Sequence, residues 1–210
     1  MWWFENVRYV SLYRGELHDF LGTGTDDPFG GRTVTACVDP VEFQEKPERD
    51  GGVTPRIVRP ECLVTVTLPE LAAMISRGRT VLPGVCDGRR RAEDWKAQEL
   101  FFIDVDNDEA MVARGHRPLD VTDAVQRAFE CGLPLALSYE SFSSTKKQQK
   151  YRLAFVAPSI IHDRDEATRF LRGLLAAYPE ADPSCKDLSR LFFGTDKEVC
   201  VWGRSASMTR

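Results

Sequence analysis

The sequence contains no apolar run of the roughly 18 residues that a membrane-spanning helix needs, and its opening MWWFENVRYV carries no signal-peptide core. A cytoplasmic protein without membrane association is therefore expected. Net positive charge is also lacking: 28 Lys and Arg against 32 Asp and Glu leave −4. That excludes a uniformly basic nucleic-acid coat but leaves room for a local basic groove. The six cysteines never pair locally; the nearest two, Cys185 and Cys200, are 15 residues apart. CxxC and zinc-knuckle spacings are thus absent, and a reducing compartment is expected. Cys62 and Cys200 sit in β-like runs and read as small core hydrophobes. Histidine is scarce, and His18, His116 and His162 lie in polar contexts that suit the surface better than a ligand set. Repeats and low-complexity segments are missing.

What is present suffices for a core. The 210 residues are 42% hydrophobic and 29% charged, which suits one large domain or two small lobes. Tyr9 to Leu21 mixes strand-like and helix-like periods, and Gly22 to Gly31 is rich in turn formers. Strands are expected at Thr33–Val38 and Cys62–Leu68, separated by a polar stretch, Asp39–Glu61, that reads as a long exposed loop. A helix starts at Pro69 and stops at Gly78. Val85–Gln98 is a basic connector whose Arg89, Arg90 and Arg91 suit either a solvated face or phosphate contacts.

The informative stretch is Leu100–Asp108, LFFIDVDND. Its apolar run reads as a buried strand. Alternation puts Asp104 and Asp106 on one face with Val105 turned inward. Two such carboxylates repel unless a cation joins them, and a hard divalent ion suits them. A solvated acidic turn is the alternative. Downstream come a helix at Leu119–Cys131, strands at Leu133–Tyr139 and Tyr151–Ala157, a helix at Asp163–Tyr178 and a short strand at Leu191–Phe193. The expected fold class is α+β (α/β), with a split β-α-β-β-α-β core of the RRM or ferredoxin-like kind and an N-terminal α/β extension. Residues 1–98 would form an N-terminal α/β lobe and residues 99–210 an RRM-like catalytic lobe.

In such a core the first and third strands are neighbours. Lys150 and Arg152, two apart on the third, would lie beside Asp104 and Asp106 if the registers agree, an arrangement suited to a metal-bound triphosphate. The same two residues also fit the polar positions of an alternating strand. The loop Ser141–Lys147 holds Ser143, Ser144, Lys146 and Lys147, suiting either a phosphate cradle or an ordinary hairpin loop. Asp182 precedes a proline and is either a third ligand or a turn residue; Arg190 enters the last strand within reach of a phosphate.

Together these pieces resemble the archaeo-eukaryotic primase superfamily, especially primase-polymerases of phages, plasmids and other mobile elements. The likeness covers about half the chain, from the Arg89 region to Gly194. Ile103-Asp104-Val105-Asp106 followed by Asn107 is similar to the first family motif. Tyr139 to Thr145 with Tyr151-Arg152-Leu153 looks like the second, a Ser-x-His-like motif before an Arg-bearing strand. Asp182 with Ser189-Arg190-Leu191-Phe192-Phe193 looks like the third. The resemblance implies DNA primase or polymerase activity, a template-directed transfer of nucleotides from nucleoside triphosphates. Asp104, Asp106 and Asp182 would hold two Mg²⁺ or Mn²⁺ ions; Ser143, Ser144, Lys150, Arg152 and Arg190 would hold the triphosphate. Arg89 to Arg91, Lys146 and Lys147 are the leading contacts for a single-stranded or primed DNA template. Ser144 stands where the family has a histidine that contacts the incoming nucleotide, which implies weak nucleotide binding. Many relatives continue into a helicase, so a helicase domain or subunit is a further implied partner. The rival functions are a non-catalytic nucleic-acid or nucleotide-binding module of a replication or defence complex, and a metal-dependent nuclease.

Overall fold

The computed structural model describes residues 7–13, 16–20 and 31–204, so most of the turn-rich stretch expected at Gly22–Gly31 lies outside the described residues. The fold is mixed α+β. A seven-stranded sheet runs β2-β1-β10-β8-β9-β7-β6, and a three-stranded sheet runs β4-β3-β5. In chain order the strands are β1 (Val7–Tyr13), β2 (Glu16–Phe20), β3 (Thr33–Glu42), β4 (Leu63–Thr67), β5 (Arg79–Leu82), β6 (Val85–Cys86), β7 (Trp95–Val105), β8 (Leu135–Glu140), β9 (Tyr151–Ile161) and β10 (Val199–Arg204). The helices are α1 (Thr54–Ile57), α2 (Leu68–Ser76), α3 (Glu109–Ala113), α4 (Val121–Glu130) and α5 (Arg164–Ala177). Among the described residues no helix is long and apolar enough to cross a membrane. Cys62 is buried and Cys200 half-buried.

The apolar run of β7 is continuous because both faces of the large sheet are covered. Phe101, Ile103 and Val105 pack with residues of α4 and α5; Leu100 and Phe102 pack with α2 and β3. Helix starts follow local chemistry. Thr67 and Glu70 form a capping box at α2 with Pro69 in the first turn. Asp120 and Asp163 accept from the backbone N–H groups of Asp123 and Glu166 at the starts of α4 and α5.

Three expectations need correction. Leu191–Phe193 is not a strand of the large sheet: Phe192 makes one antiparallel bridge to Val81 of β5, and the strand that enters the large sheet is β10, paired with β8 and β1. On the other edge of β7, β6 pairs with Ala97 and Trp95 at the strand's start, and the Asp182 N–H donates to the Asp104 carbonyl at its end. The Asp39–Glu61 stretch is not simply exposed, because β3 extends to Glu42, Val53 and Ile57 are fully buried, and Asp39 is clamped by Arg56 through two hydrogen bonds of 3.1 and 2.7 Å. The Val85–Gln98 connector contains β6 and the start of β7. The large sheet thus draws strands from both sides of residue 98.

Gly78 ends α2 with φ +84°, and a Cβ there would overlap the Phe43 carbonyl oxygen. Gly78→Ala is therefore expected to destabilise by about 2–4 kcal/mol, from left-handed backbone plus overpacking. Gly88 also has positive φ but faces open space, so Gly88→Ala should lose only the backbone part. Chemical denaturation midpoints of the two variants check this.

Candidate active site

Register settles which side chains meet. Asp104 of β7 pairs with Arg152 of β9, and Arg152 pairs with Tyr139 of β8. Side chains of paired residues share a face, so the row Asp104–Arg152–Tyr139 crosses the sheet on the side of α2. Arg152 Nε lies 3.4 Å from Asp104 Oδ1, the guanidinium sits over the Tyr139 ring at 5.6 Å, and Nη1 donates to the Phe193 carbonyl. Lys150 Nζ lies 3.6 Å from Asp106 Oδ1. Asp104 and Arg152 are buried, and Asp104 Oδ1 and Arg152 Nε have no hydrogen-bond partner there; their tie is ionic only.

The acidic stretch divides its work. Asp104 and Asp106 face the site, and Val105 enters the core. Asn107, at φ +45°, clamps Leu119 through both ends of its side-chain amide, while Asp108 caps α3 by accepting from the Met111 N–H. The turn reading holds for the last two residues of the stretch, which build the turn.

Asp182 does not join Asp104 and Asp106 as a third free carboxylate. Its backbone N–H donates to the Asp104 carbonyl at 2.8 Å, which ties the segment to the strand end. Its side chain accepts from the Ser184 N–H and hydroxyl at 2.8 and 2.6 Å. Arg190 Nη2 then stands between the two carboxylates, 2.9 Å from Asp182 Oδ2 and 3.4 Å from Asp104 Oδ2. Among the described residues, no three His, Cys, Asp or Glu side chains are grouped to hold a metal ion.

The electrostatics follow from burial and neighbours. Burial, then the Asp104 charge, raises the Asp106 carboxyl above its ordinary value against the pull of Lys150. For Asp182, burial acts upward, but the Ser184 bonds and Arg190 outweigh it and hold the carboxyl low. Burial opposes the charge on Arg152, yet Asp104 and Tyr139 keep it raised. Burial pushes the Tyr139 hydroxyl up to about 12.

Asp104, Asp106, Lys150, Arg152 and Arg190 line a cleft of about 370 Å³, which Asp182 and Tyr139 do not line. It is also lined by Ser141–Ser143, Leu191 and Phe193, Arg90, and Lys46, Arg49 and Asp50 from the stretch after β3. Of the expected binding residues, Ser143, Lys150, Arg152 and Arg190 line it. Ser144 does not. Its buried hydroxyl accepts from the Lys150 N–H at 3.0 Å, so it closes the hairpin loop. With Lys146 and Lys147 it lines a neighbouring groove of about 800 Å³. The arginine triplet also splits: Arg90 reaches the cleft and donates to the Ser189 carbonyl at 2.9 Å, while Arg89 is exposed and Arg91 lies 3.6 Å from Glu93. Lys46 and Arg49 were missed because a polar, proline-rich stretch has no periodicity from which to place a side chain.

The chain matches no protein-family model and no curated protein. Among solved structures it is similar to the AEP domain of the cyanophage S-2L primase-polymerase, with 14% identity over 80% of this chain and 79% of that one and a TM-score of 0.41. Likeness at that level carries no statement about activity.

The donor set itself tests the fit of a divalent ion. Asp104 Oδ1, buried and without a hydrogen-bond donor, and Asp106, which burial and Asp104 disfavour as an anion, suit a hard cation. Asp182 suits one only once Arg190 releases it, because guanidinium and metal would compete for the same oxygen.

Proposed function

We propose that this chain carries out metal-dependent, template-directed nucleotidyl transfer, as a primase-polymerase does. The supporting observation is one cleft in which Asp104 and Asp106 meet Lys150, Arg152 and Arg190. Carboxylates that suit a divalent ion, beside cations that suit phosphate oxygens, match a metal-bound nucleoside triphosphate. Asp104 and Asp106 would hold Mg²⁺ or Mn²⁺, and Asp182 a second ion after Arg190 turns to phosphate. When bound, such an ion supplies charge neutralisation and Lewis acidity at phosphate oxygens. Lys150 and Arg190, both half-buried, are the residues placed to grip the triphosphate. Arg152 is occupied by Asp104, Phe193 and Tyr139, so its role is to position Asp104. In the transfer a strand's 3′-hydroxyl oxygen bonds to the α-phosphorus, its proton leaves to solvent, and pyrophosphate departs as the α–β bridge breaks. Lys146 and Lys147 in the neighbouring groove, with Arg89 and Arg91 exposed, suit the backbone of a single-stranded or primed DNA template, which a helicase would present.

The Ser-x-His pattern aligns as Ser141-Phe142-Ser143 once the cleft is considered, so Ser143 takes the histidine position. The serine there, and Arg190 between two carboxylates, favour the second reading: a non-catalytic module that binds nucleotide or nucleic acid. Labelled-nucleotide incorporation with Mg²⁺ or Mn²⁺, on primed and unprimed single strands, separates the readings. Lengthened strands are expected. Shortened strands would indicate a nuclease, and binding without either product a non-catalytic module.

A further inference from the structure

Six cationic side chains, Lys46, Arg49, Arg90, Lys150, Arg152 and Arg190, line the cleft against three carboxylates, Asp50, Asp104 and Asp106. Most of them have partners. Lys150 pairs with Asp106, Arg152 with Asp104, and Arg190 with Asp104 and Asp182, while Arg90 donates to a backbone carbonyl. The carboxylate of Asp50 is turned to its own loop, where it accepts from the Gly52 and Thr54 N–H groups. Lys46 and Arg49 are different: they are exposed and make no ion pair or side-chain hydrogen bond among the described residues. The surplus positive charge of the cleft therefore sits on these two and on Arg90, whose guanidinium meets a backbone carbonyl but no carboxylate.

Exposed cations are ordinarily solvated, and single ones carry little meaning. These two are held in place. Their loop is pinned below by the Asp39–Arg56 pair, in which the Asp39 side chain is fully buried, and Arg56 also donates to the Gly51 carbonyl. Phe43 at the start of the loop packs edge-on against Phe193 of the cleft lining, with ring centroids 6.4 Å apart. Val53 at its end is fully buried. Within this frame Arg49 adopts φ +54°, a left-handed conformation costly for a residue with a Cβ.

We infer that Lys46 and Arg49 form a second phosphate grip, closing on the outer phosphates of the nucleoside triphosphate from the loop that follows β3. The inference rests on the nucleotide-binding reading of this cleft. It adds a binding element from the N-terminal half of the chain, and it assigns the left-handed backbone at Arg49 a purpose. A triphosphate carries more negative charge than the paired floor cations leave unmet, and two unpaired cations at the mouth supply what is missing. The same chemistry could serve a strand backbone, but the loop overlooks the carboxylates rather than the Lys146–Lys147 groove, which favours the triphosphate.

Arg49→Gly separates binding from structure. Glycine is at ease at φ +54°, so the variant should be at least as stable as wild type while losing the guanidinium. Lys46→Ala serves as a second, unstrained variant. The measurement is calorimetric affinity for inorganic tripolyphosphate, for a deoxynucleoside triphosphate and for a short single-stranded oligonucleotide. The double variant is expected to bind both triphosphate probes about tenfold or more weakly, the scale of losing charge-assisted bonds, with oligonucleotide affinity little changed. Unchanged triphosphate affinity would overturn the inference, and so would a loss confined to the oligonucleotide. If wild type binds neither triphosphate probe, the nucleotide reading itself fails. If wild type extends strands and the variants bind as it does, that reading survives and only the grip falls.

Discussion

Asp104→Asn and Asp106→Asn are both expected to lose nucleotide incorporation, by about 100-fold or more in kcat/KM, yet to move stability in opposite directions. Asp104 is buried against Arg152 and touches Arg190. Neutralising it leaves the Arg152 guanidinium buried without its counter-charge, a loss of about 3–5 kcal/mol when one partner of such a pair is removed. Asp106 is the reverse case. Its folded-state carboxyl titrates above the ordinary 3.8, so the fold prefers it protonated. That contribution is fully present below 3.8, where both states are protonated, and is lost as pH rises through the raised folded value. Asparagine mimics the neutral form. Asp106→Asn should therefore be more stable than wild type at neutral pH, with the advantage vanishing below 3.8. Denaturant titrations of both variants in the two pH ranges check the pair of outcomes. Equal destabilisation by both would show that the two carboxylates share one environment, contrary to the geometry.

Arg152→Met is expected to destabilise by about 3–5 kcal/mol, the other half of the same account. The methionine fills most of the volume, but Asp104 Oδ1 loses its nearest cation and has no hydrogen bond to fall back on. Combining Arg152→Met with Asp104→Asn should cost less than the sum, by about 1–3 kcal/mol of coupling, because the double variant buries no net charge. Arg152→Lys should also fail to restore incorporation. One ammonium cannot at once meet Asp104, the Phe193 carbonyl and the Tyr139 ring as the planar guanidinium does. Additive effects in the cycle would mean that Asp104 and Arg152 do not interact.

Much of the site was legible along β7 and β9, where alternation alone assigns faces. Asp104 and Asp106 share a face, as do Lys150 and Arg152, and the registers agree: Asp104 lies directly opposite Arg152. The helix expected from Pro69 to Gly78 was legible for a similarly local reason, since proline in the first turn and glycine past the end are signals within one segment. Which serine of the Ser141–Thr145 loop faces the cleft was not legible. In a loop no period decides which hydroxyl points where, and a backbone bond to Lys150 draws Ser144 inward, leaving Ser143 at the cleft.

By itself the sequence determined the buried strand, the shared face of its two carboxylates and the cations two apart on a second strand, because each depends on a repeat of two residues within one element. Only the tertiary structure decided that Arg190 stands between Asp104 and Asp182, that Leu191–Phe193 bridges to β5 while β10 enters the large sheet, and that Lys46 and Arg49 reach the cleft. These placements depend on which edges and faces remain open after the rest of the chain has packed. β6 takes the start of the outer edge of β7, Phe192 stacks on Phe102 at 4.9 Å, and the Asp39–Arg56 pair pins a polar loop. No local pattern encodes such long-range competition for burial.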